Sequence, residues 1–70
     1  MVSKKARQLA KEKAVLLALQ NDMALLRRDL EIHAIKKDGS TIFISRSNDY
    51  GHLWQDALKI LKKNFKQRKS

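Results

Sequence analysis

The stretch that decides the fold is residues 30–46, LEIHAIKKDGSTIFISR. Its first half alternates apolar and polar residues, and its last part is rich in β-branched and aromatic residues, both of which favour strands. Between these parts, residues 37–40 (KDGS) have the composition of a tight turn. We therefore predict two antiparallel strands joined by a short loop.

The length of that loop decides which side chains share a face of the ribbon. A two-residue loop would scatter the large apolar side chains over both faces. A three-residue loop with Gly39 in the left-handed conformation opposes Ala34 to Ile42 and Ile32 to Ile44. It collects Leu30, Ile32, Ala34, Ile42 and Ile44 on one face. Because register follows the buried face, we predict the three-residue loop and a positive φ at Gly39.

The opposite face of this ribbon carries Ile35 and Phe43, which are unusual residues for a solvent-facing surface. They are predicted to cover a second chain or to form a contact patch. A β-ribbon can also enter a DNA groove, but such ribbons usually carry more Arg, Lys, Asn or Gln than this one.

N-terminal to the ribbon, residues 3–30 consist mainly of good helix formers. Leu9, Leu16, Met23 and Leu30 recur every seven residues, which predicts a helix of up to about 28 residues. Asn21 and Asp22 both cap helices readily, so the alternative is two helices bent at Asp22.

C-terminal to the ribbon, apolar residues recur at steps of three and four. They are Tyr50, Leu53, Trp54, Ala57, Leu58, Leu61 and Phe65. This spacing predicts an amphipathic helix that ends near residue 67, after a loop rich in capping residues. The predicted fold class is α+β with the order helix–β-hairpin–helix (αββα): a long N-terminal helix, a two-stranded antiparallel ribbon and an amphipathic C-terminal helix. It forms one domain, residues 1–70, whose basic ends (1–5 and 67–70) can fray.

The predicted N-terminal helix carries a second apolar stripe, on the side opposite the first. Its members are Ala10, Ala14, Leu17, Ala18 and Leu25. A helix that is apolar on two sides needs two partners. The chain has no Cys, and so neither a disulfide nor a zinc cluster is available to stabilise so small a core. We therefore predict a homo-oligomer, most simply a homodimer, with this second stripe as its interface.

Charge is distributed very unevenly along the chain. Sixteen Lys and Arg against seven Asp and Glu give a net charge of +9. Residues 59–70 contain six basic residues and no acid, residues 1–13 contain five and one acid, and the middle is nearly neutral. In an αββα chain that reverses at every connection, the two helices run antiparallel. Both basic ends would then meet in one basic pole.

This charge predicts a small basic nucleic-acid-binding protein that mainly contacts the phosphate backbone, as a homodimer. The candidate binding residues are Lys4, Lys5, Arg7, Lys11, Arg46, Lys59, Lys62, Lys63 and Lys66. The excess is mostly lysine, which positions a backbone and does not read bases, and it leaves DNA and RNA both open. Tyr50 and Trp54 could stack on bases, but their place on an apolar side favours packing in the core. The alternative is a protein-interaction module (an inhibitor, an antitoxin-like partner or an adaptor) that docks on an acidic protein surface.

Other function classes find little support in the residues. No metal, phosphate-loop or nucleophile motif occurs, so we predict no catalytic residue, no cofactor and no metal site. Asp49 and His52 could share a helical turn, but a cap residue followed by a surface histidine is the better interpretation. No run of about 18 apolar residues occurs, so we expect no membrane partner and a cytoplasmic location.

Overall fold

The computed structural model describes residues 3–65, which form two helices and one three-stranded sheet. The elements are α1 (Lys4–Gln20), β1 (Met23–Arg28), β2 (Glu31–Lys36), β3 (Thr41–Arg46) and α2 (Leu53–Asn64). The sheet is antiparallel in the order β1-β2-β3. The protein is therefore α+β as expected, but the αββα order with a two-stranded ribbon is wrong. The topology is α-β-β-β-α.

The additional strand arises because the first helix ends at Gln20, ten residues before the predicted end of the single long helix at Leu30. Asp22 has a φ of 60°, a left-handed conformation that stops a helix, and its N–H closes the last turn on the carbonyl of Leu19 at 3.0 Å. Neither the single long helix nor the two helices bent at Asp22 is correct. Residues 23–28 instead pair with β2, with Leu26 opposite His33, and so satisfy backbone groups that a two-stranded ribbon leaves unpaired.

The hairpin between β2 and β3 has the predicted three-residue loop. Gly39 has a φ of 90°, and the Lys36 N–H donates to the Ser40 carbonyl at 2.8 Å. Ala34 lies opposite Ile42, as predicted. Ile32 lies opposite Ser45 rather than Ile44, because the register shifts by one residue between Ile32 and His33. This bulge lets β3 turn two successive side chains, Ile44 and Ser45, into the interior.

The second helix begins at Leu53, three residues later than its apolar spacing indicated. Asp49 lies before it and accepts a hydrogen bond from the His52 N–H at 3.0 Å. Tyr50 therefore belongs to a turn and is 52% exposed, so the prediction that it packs in the core is wrong. Trp54 is half-buried and packs against the core. The predicted end of the helix near residue 67 lies outside the described residues.

The second apolar stripe packs against other elements of the same chain. Ala10, Ala14, Leu17 and Ala18 are buried, because α1 packs with this side on α2 and β1. Leu25 lies on β1 and is half-buried. Ala10, Ala14, Leu17 and Ala18 are thus covered within one chain, and the homo-oligomer with this stripe as its interface stays a prediction. β1, which the predicted two-stranded ribbon lacks, and α2 together cover this side of α1.

The two helices run in the same general direction. The start of α1 lies beside the start of α2, where Lys4 and Arg7 share a cleft with Trp54. The later part of α1 lies beside the later part of α2, where Gln20 and Lys62 line a second cleft. The third strand adds one chain reversal and so turns the predicted antiparallel pair into a parallel one. Within residues 3–65, neither helix is long and apolar enough to cross a membrane.

Candidate nucleic-acid interface

The fold separates the predicted binding residues instead of uniting them. Lys4, Lys5, Arg7 and Lys11 lie at the start of α1, whereas Lys59, Lys62 and Lys63 lie exposed along the later part of α2. Because the helices are parallel, these groups occupy opposite ends of the helix pair. The single basic pole is therefore wrong, and Lys66 lies outside the described residues.

A different group of cations converges at the first of these ends. A cleft of about 320 Å³ is lined by Lys4, Arg7, Gln8, Lys11, Arg27, Tyr50, Leu53 and Trp54. We call it the basic cleft. Four of its lining residues are Lys or Arg, and none is acidic. This composition makes it a region of positive potential with aromatic walls.

Two elements, α1 and β1, position the four cations of the basic cleft. Lys4, Arg7 and Lys11 follow one another at helical spacing, so they project from one side of α1. Ser3 fixes the start of that helix, since its Oγ accepts a hydrogen bond from the Ala6 N–H at 3.1 Å. Arg27 comes from the end of β1, which runs antiparallel to α1 and so ends near the start of the helix.

Two of the cations lie over aromatic rings. The Arg27 guanidinium is 5.3 Å from the centre of the Tyr50 ring, and its Nη1 donates to the Tyr50 hydroxyl at 3.3 Å and to the Asp29 carbonyl at 3.1 Å. Lys11 Nζ is 5.6 Å from the centre of the Trp54 ring. Contacts of this kind hold a cation in place without neutralising it. The charge of the basic cleft therefore remains available to an anion.

Arg7 contributes an unsatisfied donor. Its Nε is buried and has no hydrogen-bond partner among the described residues. Buried donors in folded proteins are nearly always paired, and leaving one unpaired costs about 1–3 kcal/mol. Arg7 thus carries a donor that is both unpaired and closed to solvent.

The helix ends add to the same potential. Both α1 and α2 begin beside the basic cleft, and a helix carries about half a positive charge at its N-terminus. The first turn of α1 contains no acidic residue, whereas that of α2 contains Asp56, so the contribution comes mainly from α1. The lysines there lie against their own helix dipole, an arrangement that an anionic ligand would stabilise.

The sequence offers both Arg27 and Arg46 for more selective contacts, and of the two only Arg46 is among the candidate binding residues given above. It does not predict the place of Arg27 in the basic cleft, because residue 27 is assigned to the long N-terminal helix, far from Tyr50 in sequence. Only pairing of residues 23–28 with the hairpin would have placed it. Arg46 lies on β3 outside the basic cleft, where its Nη1 is 3.6 Å from a carboxylate oxygen of Glu31. Its charge is therefore partly matched by an acid.

The Asp49–His52 pair serves as a helix cap. His52 donates its backbone N–H to the Asp49 carboxylate, and its ring Nδ1 lies 3.0 Å from the same oxygen. The hydrogen bond from the His52 side chain, and then that from its N–H, lower the pKa of Asp49 below its ordinary value. A carboxylate held ionised by a neighbouring cap hydrogen bond is a structural group. Among residues 3–65, no cluster of three or more His, Asp or Glu is arranged to hold a metal ion.

The outer face of the sheet remains open in this chain. Phe43 is 58% exposed, and the His33 ring meets it edge-on at a centroid distance of 5.5 Å. Glu31 lies 2.9 Å from the His33 Nε2. This face is apolar around Phe43, has Glu31 at its border and does not line the basic cleft.

Comparison with known proteins does not add to this description. No family model, no curated protein and no solved structure matches the chain.

Proposed function

We propose that this protein binds nucleic acid, with the phosphate backbone seated in the basic cleft. The observation that carries the proposal is the convergence of Lys4, Arg7, Lys11 and Arg27 on one cleft with no acid in its lining. Several cations in one cleft favour binding of a nucleic-acid backbone, because each phosphate that a cation neutralises releases bound counterions and so raises the affinity.

The four cations have different tasks in this proposal. The guanidinium groups of Arg7 and Arg27 donate N–H groups to phosphate oxygens. Lys4 and Lys11 act as mobile point charges on neighbouring phosphates. Contacts of this type fix the position of a strand and carry no base sequence.

The remaining basic residues act at longer range. Lys59, Lys62 and Lys63 are exposed on α2, away from the basic cleft. With a net charge of +9 they raise the potential around the molecule and speed the approach of a polyanion. We propose that they steer the ligand and contribute little to the contacts of the bound state.

The test compares two variants with the same change in net charge. Lys4→Gln/Lys11→Gln removes two cations of the basic cleft, and Lys59→Gln/Lys63→Gln removes two from α2. Anisotropy of a labelled DNA duplex is measured between about 50 and 200 mM salt. Each phosphate contact contributes about 0.9 to the slope of log K against log salt, so the cleft variant should lower that slope by about 1.8.

The α2 variant is the control and should retain nearly the parental slope. Equal losses in the two variants would show that only total charge matters and would contradict the cleft. A parent protein that binds neither duplex nor single strand at about 50 mM salt would refute the function itself.

A specific observation favours the alternative, a protein-interaction module that docks on an acidic protein surface. The exposed side of α1 is apolar and is bordered by lysines. The self-association prediction has lost the buried residues on which it rested, and it remains to be tested by light scattering.

A further inference from the structure

The side of α1 that faces away from the core is apolar. Its large hydrophobic side chains are Leu9, Val15, Leu16 and Leu19, which are 51%, 41%, 55% and 66% exposed. We call this group the outer stripe. It runs along a helix of 17 residues, about 25 Å long. Exposed apolar groups that are scattered singly need no explanation, but four on one helix face mark an interaction surface.

Cations border the outer stripe on both sides. Lys4 and Lys5 lie beside Leu9, and Lys11 lies beside Val15 and Leu19. On the other border, Lys13 and Lys62 lie beside Leu16. Glu12 is the one acidic residue of α1, and it lies within the outer stripe itself. The surface is thus an apolar strip with a basic rim and one central carboxylate.

This charge pattern discriminates between possible occupants. A second copy would bring one basic rim against another, and a parallel pair would also place Glu12 against its own equivalent, which like charges disfavour. A lipid surface would match the rim but would bury the carboxylate of Glu12 in an apolar layer, which is costly. A protein helix can satisfy both features, since it can place acids along its flanks and a cation opposite Glu12.

We propose that the outer stripe binds an amphipathic helix of a partner protein whose apolar side is flanked by Asp and Glu. The partner's apolar residues, at steps of three and four, pack on Leu9, Leu16 and Leu19. Its flanking carboxylates pair with the lysines of the rim, and this pairing orients the helix along α1. Lys4 and Lys11 border both surfaces, but the inference rests on Leu9, Leu16 and Leu19, which do not line the basic cleft.

The probes are two synthetic helical peptides with the same leucine pattern, one with Glu and one with Lys at the flanking positions. The test variant is Leu16→Gln/Leu19→Gln, and Phe43→Gln is the matched control, since Phe43 is an equally exposed apolar residue on the sheet. All three substituted side chains are exposed, and retained folding is verified by thermal unfolding. The acidic peptide should bind the parent and the control with the same affinity. It should bind the stripe variant at least tenfold more weakly. The basic peptide should not bind.

Three results with the peptides would overturn the proposal: equal affinity for both peptides, no binding of the acidic peptide, or binding that survives in the stripe variant. Sedimentation of the parent alone and mixing with anionic vesicles complete the test. A homodimer or a vesicle complex that Leu16→Gln/Leu19→Gln abolishes would assign the outer stripe to that occupant and overturn the partner helix.

Discussion

Gly39 provides a direct test of the loop that sets the register of β2 and β3. Its φ is 90°, and a Cβ built at this position would meet no atom within 4 Å. A side chain there causes no steric clash, so its cost is the backbone strain alone. Strain of this kind costs about 1–3 kcal/mol for a residue other than glycine. Against it stands a gain of about 0.4–1 kcal/mol, because the unfolded chain loses freedom when glycine is replaced.

We therefore expect Gly39→Val to lower the free energy of unfolding by about 1–2 kcal/mol, with β-branching placing it at the upper end. In a domain of this size, each kcal/mol corresponds to roughly 4–8 °C in Tm. Urea unfolding followed through the fluorescence of Trp54, the one tryptophan of the chain, measures the change. Gly39→Asn is the control, since asparagine tolerates the left-handed conformation and should lose much less stability. The reasoning is refuted if Val leaves the stability within about 0.3 kcal/mol of the parent or if Asn costs as much as Val.

Two further predictions concern the core and the start of α2. Leu61 is fully buried, so Leu61→Ala should cost about 2–5 kcal/mol in chemical unfolding, whereas Leu19→Ala on the exposed side of α1 should stay within about 0.5 kcal/mol; similar losses would contradict the assigned burial. Ser47 is buried, and its Oγ donates to Asp56 Oδ2 at 2.6 Å, so Ser47→Ala should cost about 1–2 kcal/mol. In a double-mutant cycle with Asp56→Asn, the two losses should not add, and simple additivity would show that the hydrogen bond contributes nothing.

The local parts of the fold were predictable from neighbouring residues. The turn at Gly39 and the pairing of Ala34 with Ile42 follow from alternation over a short stretch, because a hairpin closes on itself. The amphipathic spacing likewise identified α2 to within three residues at its start. The boundary of α1 was not predictable in this way. Apolar residues at seven-residue spacing continue past Asn21, and residues of high helix propensity form β1 once a strand edge is available to them.

The candidate site depended on that same edge. Arg27 enters the basic cleft only because β1 pairs with β2, and the parallel direction of the helices follows from the added strand. Lys4, Arg7 and Lys11 were named from charge alone, and their meeting with Tyr50 and Trp54 was not foreseen. The bulge at Ile44 was not predicted either, because it results from burial of β3 side chains against the helices and not from the geometry of the turn.

The amino-acid sequence by itself determined the net charge, the tight turn, the amphipathic second helix and the absence of any cysteine for a disulfide. These properties depend on composition or on residues a few positions apart. Only the tertiary structure decided that residues 23–28 are a strand, which of the two apolar sides of α1 is buried, and which cations meet. Each of these outcomes depends on contacts between residues far apart in the sequence, which compete with local preferences. The backbone edge of β2 outweighed the helix propensity of residues 23–28, since unpaired backbone groups and an uncovered core cost more free energy than a weak local preference supplies.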